Sequence, residues 1–358
     1  MMVALTYDDI QLVPKYSEIS SRREVDLYTH FTRRYGILTP FVAAPMDTVC
    51  ESEMAIAFMQ QGGVGVIHRF MTIEEQAEQV RKVAEYRGTS IGNNPTMYEE
   101  WGVMYSNWHA KIKDIPVCAA VGANGDFYER SKELIKAGAN VILIDVAHGH
   151  HVNVKMAIAM IKSISDKIDV IAGNIATAEA AKDLYDWGAD ALRVGVGGGS
   201  MCTTRINTGF GVPNVTCLND ICAVAKVPVI ADGGIRTSGD MAKALALGAS
   251  SVMIGSMIAG TEESPGKIIE KTNGLYKRYR GAASLETKMA HGQSTRNVEG
   301  ESTMVPYKGG VKYILQSATD GLRSAFSYAG TKNLSEFNPQ IIQITSAGQI
   351  EARPHLIK

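Results

Sequence analysis

The stretch best equipped for chemistry runs from 192 to 205 and reads Leu-Arg-Val-Gly-Val-Gly-Gly-Gly-Ser-Met-Cys-Thr-Thr-Arg. An apolar run at 191–196 has strand character and opens into Gly197, Gly198 and Gly199, followed by Ser200, Cys202 and Thr204. Consecutive glycines allow positive φ and close approach of the backbone to a ligand. The N–H groups of such a nest suit a phosphate, and its carbonyls, turned inward, suit a cation. Cys202 on this loop is a candidate nucleophile, and Thr204, two residues on, can pass a proton to a base. The competing reading is a flexible turn with a buried thiol, since a free cysteine commonly behaves as a small hydrophobe.

Other polar residues stand in equivalent places. Asp47, His68, Asp145, His148, Asn174, Asp232 and Ser256 each lie at or just after the end of a short apolar run. Asp47 and His68 could serve a site or simply close turns. Met46 could contact a ligand or fill the core, and Asp232, before two glycines, could bind a ligand or cap a turn.

The elements that must position these residues are legible as a rhythm. Apolar runs at 41–46, 64–68, 117–121, 141–146, 170–173, 191–196, 227–231 and 251–254 are short and nearly continuous, as in strands buried on both faces. Between most of them lie segments of helical period, such as 72–85, 125–137, 154–165, 178–187 and 238–247. Lys136-Ala-Gly-Ala-Asn140, Asp186-Trp-Gly-Ala-Asp190 and Ala246-Leu-Gly-Ala-Ser250 each end a helix on glycine and feed the next strand. Eight strand–helix units without a dinucleotide fingerprint predict an α/β fold, a (β/α)8 TIM barrel spanning 1–358 as a single domain. A doubly wound open sheet is the alternative. In a barrel, functional residues gather beyond the strand C-termini, where the polar residues above stand.

Three stretches depart from the rhythm. Residues 1–36 read as an irregular arm with a short strand pair. Residues 86–113, with Trp101, Tyr105 and Trp108, form an excursion between the second and third strands. Residues 271–308, rich in Gly, Ser, Thr and Lys, show little regular period and read as an active-site flap region, with 290–301 as its mobile part.

With 358 residues, 45% hydrophobic and 20% charged, the chain is composed like an ordinary globular protein. Its formal charge of −1 gives no electrostatic reason to expect nucleic acid or an anionic membrane as a partner. No apolar run approaches the roughly 18 residues of a membrane span. Asp8, Asp9, Lys15 and Glu18 interrupt the start where a signal peptide would be apolar, so a cytoplasmic location is expected. Five cysteines at irregular spacing argue against a disulfide framework. Cys50, Cys118, Cys217 and Cys222 are read as structural.

The motifs taken together resemble the IMP dehydrogenase / GMP reductase family. The family's catalytic loop is matched at every constrained position from 192 to 204. Further matches are Leu5-Thr-Tyr-Asp-Asp9, Ala44-Pro-Met-Asp-Thr-Val49, Ile144-Asp-Val-Ala-His-Gly149, Ala172-Gly-Asn-Ile-Ala-Thr177, Ala231-Asp-Gly-Gly-Ile-Arg236, Tyr279-Arg-Gly281 and Val305-Pro-Tyr-Lys-Gly309. The resemblance implies a purine nucleotide oxidoreductase that forms a covalent cysteine adduct at purine C2, with NADPH or NAD as cofactor. It implies Cys202, Thr204 and Glu299 as catalytic, Glu299 also meeting the purine N1 edge. Ser200, Gly234, Gly255, Ser256 and Tyr279 would hold the 5′-phosphate, Asp232 the ribose diol, and Met46 the purine face. Asp145 and Asn174 would meet the nicotinamide. Carbonyls of Gly197, Gly199 and Cys202 would bind potassium, and the tail at 345–355 resembles that of a homotetramer. The short 86–113 segment stands where the family often carries regulatory nucleotide-binding modules.

Which member it resembles divides the text from the chemistry. Met71-Thr-Ile-Glu-Glu-Gln-Ala77, Gly234-Ile-Arg-Thr-Ser-Gly239 and Gly260-Thr-Glu-Glu-Ser-Pro265 look like the dehydrogenase, which oxidises IMP to XMP. That branch hydrolyses its adduct with an Arg-Tyr pair on a longer flap, and no such pair occurs here. Arg296 is followed by Asn297 and lies only three residues before Glu299. Val146-Ala147 also looks like the reductase. GMP reductase, converting GMP to IMP and ammonia, is therefore the favoured reading, IMP dehydrogenase the alternative, and a catalytically idle nucleotide-binding barrel the third. Departures from the family pattern are Gly198 for proline, Arg69 for lysine, and Ala282-Ala283 for Met-Gly or Met-Ser.

Overall fold

The computed structural model describes residues 3–89, 115–290 and 298–352. Most of the 86–113 excursion, including Trp101, Tyr105 and Trp108, lies outside the described residues, as do Arg296 and the tail beyond 352. Three short strands come first: β1 (Ile10–Leu12), β2 (Thr29–His30) and β3 (Gly36–Ile37). Eight more follow: β4 (Phe41–Ala43), β5 (Val64–Ile67), β6 (Cys118–Val121), β7 (Val141–Asp145), β8 (Asp169–Ile175), β9 (Ala191–Val194), β10 (Val229–Asp232) and β11 (Ser251–Ile254). They pair in parallel in chain order and close through β11 against β4, with Ile254 opposite Ala43. The chain is a (β/α)8 barrel, and the open-sheet alternative falls.

Each of the eight apolar runs became one barrel strand, because a strand covered by helices outside and packed against its neighbours inside needs apolar side chains on both faces. The ends moved for local reasons. β9 stops at Val194 because Gly195 turns at φ 139, where a Cβ would come 2.0 Å from the Asp232 carbonyl oxygen. The helix expected at 154–165 spans Val152–Ile164, because the His151 side chain accepts the Asn153 N–H and caps it earlier. The first periodic segment runs on to give the helix Ile73–Thr89. The helix Ser52–Gln60 packs so closely on β5 that a Cβ on Gly65 would lie 2.4 Å from Ala55 Cα.

The reading of 271–308 as largely without strand period is corrected. After β12 (Ile269–Lys271) come β13 (Gly274–Arg280) and β14 (Ser302–Pro306), a three-stranded antiparallel sheet. Its strands are half-exposed, which blurs the alternation that would mark them. Residues 291–297 of the expected mobile part lie outside the described residues. The helix Val311–Ala329 follows, burying Val311, Leu315, Ala318, Leu322 and Phe326 on one face.

The N-terminal arm includes the expected short pair, β2 with β3. Its β1 pairs with β15 (Ile341–Gln343) near the other end of the chain. The arm is also stitched to the barrel by Leu5 N–H to Thr216 Oγ1 at 2.8 Å and by Lys243 Nζ to the Tyr7 carbonyl at 2.9 Å. Among the described residues no helix is long and apolar enough to cross a membrane.

Candidate active site

A cavity of about 330 Å³ opens beyond the C-terminal ends of the barrel strands. Every residue assigned from the sequence to catalysis, nucleotide, cofactor or cation lines it. The loop after β9 supplies its floor. Gly197 has φ 78, a left-handed conformation that favours glycine, and a Cβ there would meet Arg205 Cγ at 2.6 Å. The Cys202 N–H donates to the Gly199 carbonyl at 3.1 Å, and Thr204 begins a one-turn helix, Thr204–Thr208.

The chain returning from the flap is zipped onto this loop. Cys202 bridges Gly300 in antiparallel fashion, Thr203 N–H donates to the Glu299 carbonyl at 3.1 Å, and Glu301 N–H donates to the Met201 carbonyl at 2.9 Å. Glu299 is thereby brought to Thr204 across 95 residues of sequence. The Cys202 thiol donates to Thr204 Oγ1 at 3.1 Å, and the Thr204 hydroxyl donates to Glu299 Oε2 at 2.7 Å. A thiol, a hydroxyl and a carboxylate in one bonded row can move a proton to or from sulfur.

All five cysteines are free. Burial pushes the thiols of Cys217 and Cys222 up to about 12 and raises Cys50 and Cys118 as well. A protonated buried thiol is a poor nucleophile, in keeping with a structural role for these four. Cys202, part-exposed as Cys222 also is, differs from all four in lining the cavity.

A second group forms a polar cradle. Ser200 Oγ and Tyr279 Oη are 3.0 Å apart. Burial, aided by the Asp232 charge, raises the Tyr279 pKa against the opposing Ser200 bond, so the phenol stays neutral and able to donate. Gly255 leaves room between them and Met46: a Cβ there would lie 3.3 Å from Met46 Sδ and 3.4 Å from Tyr279 Oη. Gly233 and Gly234 follow β10 at φ 92 and 74, and the Ser256 carbonyl accepts Lys308 Nζ at 2.8 Å.

The third group is a charge network whose centre, Arg193, the sequence reading passed over. Arg193 Nε donates to Asp232 Oδ2 at 3.0 Å, its Nη2 lies 2.9 Å from the same oxygen, and its Nη1 donates to Asp145 Oδ1 at 2.5 Å. Asn174 Nδ2 donates to Asp232 Oδ2 at 2.8 Å and to the Gly195 carbonyl at 2.7 Å. Among the described residues no donor is bonded to Asp232 Oδ1, which leaves it for a ligand. Burial alone would depress the Arg193 pKa, but Asp232 and Asp145 outweigh it and the net shift is upward. One signal was available: an arginine inside an otherwise apolar barrel strand must find counter-charges among its neighbours.

Arg69 stands on the far side of Asp145, Nε to Oδ2 at 3.8 Å. Its Nε is buried without a hydrogen bond. Among the described residues no group of three or more His, Cys, Asp or Glu could hold a metal. A cation on the Gly197–Cys202 loop would thus depend on carbonyls, and the Gly199 carbonyl, which has two lone pairs, already accepts one N–H.

Not every strand-end residue joins the site. Asp47 accepts Arg280 Nε at 2.9 Å and Nη2 at 2.5 Å, tying β13 to the barrel. His68 Nδ1 accepts the Phe70 N–H at 3.0 Å while Nε2 lies 3.2 Å from Glu51, closing the turn after β5. Asp47, His68 and His148 do not line the cavity.

Comparison with known proteins agrees with this geometry. Residues 4–355 match the IMP dehydrogenase / GMP reductase domain. The chain is 40% identical to inosine-5'-monophosphate dehydrogenase of Cryptosporidium parvum, over 98% of this chain and 94% of that one. It is 31% identical to GMP reductase of Leishmania major, over 98% of this chain and 96% of that one. Among solved structures it resembles GMP reductase from Trypanosoma brucei in complex with guanosine 5'-monophosphate, with a TM-score of 0.89 and 31% identity over 100% and 99% of the two chains. The sequence motifs, the closed barrel, the cysteine loop and these relatives converge: the chain belongs to the IMP dehydrogenase / GMP reductase family.

Proposed function

We propose that the chain is a GMP reductase, converting GMP to IMP and ammonia at the expense of NADPH. The observation that carries this is the bonded row Cys202–Thr204–Glu299, entered from a segment, 291–298, whose sequence His-Gly-Gln-Ser-Thr-Arg-Asn-Val holds no Arg-Tyr pair. Release of an amine needs a proton donor near C2. Hydrolysis of a cysteine adduct needs in addition a group that activates water.

In this reading the Cys202 sulfur adds to purine C2 and its proton passes toward Thr204. The exocyclic amine leaves as ammonia, taking the proton that Thr204 relays from Glu299. NADPH, when bound, supplies the hydride that replaces the amine at C2. The carbon–sulfur bond then breaks, IMP is released, and the Cys202 thiolate takes up a proton from solvent by way of Glu299 and Thr204, since its first proton left with ammonia. Asp232 orients the ribose through its unbonded oxygen, while Ser200, Tyr279, Gly234, Gly255 and Ser256 receive the phosphate. Met46 packs against the base. Asp145 and Asn174, with Arg69 beside them, hold the nicotinamide half. Carbonyls of Gly197, Gly199 and Cys202 are the proposed potassium ligands, and the tail supports a homotetramer by its resemblance alone.

The dehydrogenase remains the second reading because identity to the C. parvum dehydrogenase, 40%, exceeds the 31% to the L. major reductase. Nicotinamide absorbance in potassium buffer separates them. Loss of NADPH with GMP, accompanied by ammonia, supports the reductase. NADH formation from IMP and NAD overturns it and directs attention to Arg296, and silence in both leaves nucleotide binding as the function.

A further inference from the structure

If Cys202 is the nucleophile and the turn after β10 holds the nucleotide, as proposed above, then the reacting sulfur and the bound base are carried by two separate loops. Asn214, the first residue of the helix Asn214–Cys222, belongs to neither loop and touches both. It is 6% exposed. Its Nδ2 donates to the Gly233 carbonyl and, at 3.4 Å, to the Asp232 carbonyl. The same amide fills the space beside Gly198, where a Cβ would lie 2.7 Å from Asn214 Oδ1 and 2.9 Å from Nδ2. The two loops also meet directly: a Cβ on Gly233 would lie 2.9 Å from the Gly198 carbonyl carbon.

The amide is backed by the N-terminal arm. A Cβ on Gly234 would lie 3.2 Å from Asn214 Nδ2 and 3.5 Å from the Tyr7 ring, so the three groups share one pocket. The Tyr7 hydroxyl and Asn214 Oδ1 are both buried, and a side-chain bond with Asn214 opposes the burial that raises the Tyr7 pKa, so the two groups face each other. An apolar side chain of similar size would fill the same space but would leave the Gly233 carbonyl without its donor and Tyr7 without its partner.

We propose that Asn214 is a positioning residue that sets the separation of the Cys202 loop from the nucleotide turn, with Tyr7 of the N-terminal arm holding its amide in place. A misplacement of about 1 Å can cost on the order of 100-fold in rate, so this contact should govern turnover more than binding. The variants Asn214→Ala, Gly198→Ala and their combination test it in the full chain. Two readouts are needed: kcat and KM for GMP, and the rate of Cys202 alkylation by iodoacetamide followed by mass spectrometry.

Asn214→Ala is expected to lower kcat about 10- to 100-fold with a smaller change in KM, and to speed Cys202 alkylation severalfold as the loop loosens. Gly198→Ala is expected to lower kcat by forcing the amide aside. The double variant should be no worse than Asn214→Ala, because the collision requires the amide. Tyr7→Phe keeps the ring and removes the hydroxyl, and should move both readouts the same way by less. It also serves if Asn214→Ala does not fold.

Wild-type alkylation and kcat in Asn214→Ala, or losses in the two single variants that simply multiply, would overturn the proposal. Alkylation does not depend on turnover. A native chain inert towards both nucleotides would refute the functional reading, while the alkylation pattern would still decide the role of Asn214.

Discussion

At the scale of single residues, the site consists of groups that are ordinary alone and unusual in company. Cys202, Thr204 and Glu299 form a row through which sulfur can exchange a proton with a carboxylate. Cys202→Ala should abolish turnover while equilibrium dialysis still detects nucleotide binding, since the cradle of Ser200 and Tyr279 remains. Retained turnover would end the covalent mechanism. Glu299→Gln keeps the shape but removes the proton acceptor, and kcat should fall by about 10²- to 10⁴-fold. Arg193 sits between Asp145 and Asp232 with almost no exposure. Arg193→Gln leaves two carboxylates without their cation, which should cost about 3–5 kcal/mol, read as a lower urea midpoint, and should weaken nucleotide binding as well. Asp145, Asn174 and Asp232 were legible as residues at or beyond strand ends. Arg193 was not, because inside a strand run it looks like an interruption and its two partners are separated from it by 48 and 39 residues.

At the scale of elements, the barrel places these groups by ending eight strands at one rim. Fit between strand and helix decides whether that rim holds its shape. Gly65 faces the helix Ser52–Gln60 with no space for a side chain, a Cβ lying 2.4 Å from Ala55 Cα. Gly65→Ala should destabilise by about 1–3 kcal/mol through overpacking, visible as a lower melting temperature. An unchanged melting temperature would show that the helix shifts freely. The sheet of β12, β13 and β14 acts differently, delivering Tyr279 and, on the return, Glu299 to a barrel that lacks both. The strands of the barrel could be read from hydrophobic runs because both their faces are buried. Those of the outer sheet could not, because a half-exposed strand tolerates polar residues on either face.

At the scale of the whole molecule, buried weak acids set an alkaline limit. Burial holds the thiols of Cys217 and Cys222 up to about 12, against 9.0 for the ordinary group, and raises Tyr7 above the usual phenol range, with Asp240 adding to it. Between pH 9 and 12 the unfolded chain therefore binds fewer protons than the folded one, so stability is fully present below 9 and is lost as pH rises. The urea midpoint should fall between pH 9 and 11, and Tyr7→Phe combined with Cys217→Ala should flatten that fall. A midpoint independent of pH in this range would mean that these groups titrate alike in both states. The sequence by itself determined the barrel, the order of its strands and most of the residues at its rim, since runs of buried apolar residues and the glycines after them are local signals. Only the tertiary structure decided that Glu299 meets Thr204, that Arg193 joins Asp145 to Asp232, and that Asn214 fills the space beside Gly198. Each of those contacts depends on two distant segments arriving at one place, and no spacing along the chain encodes the distance between them.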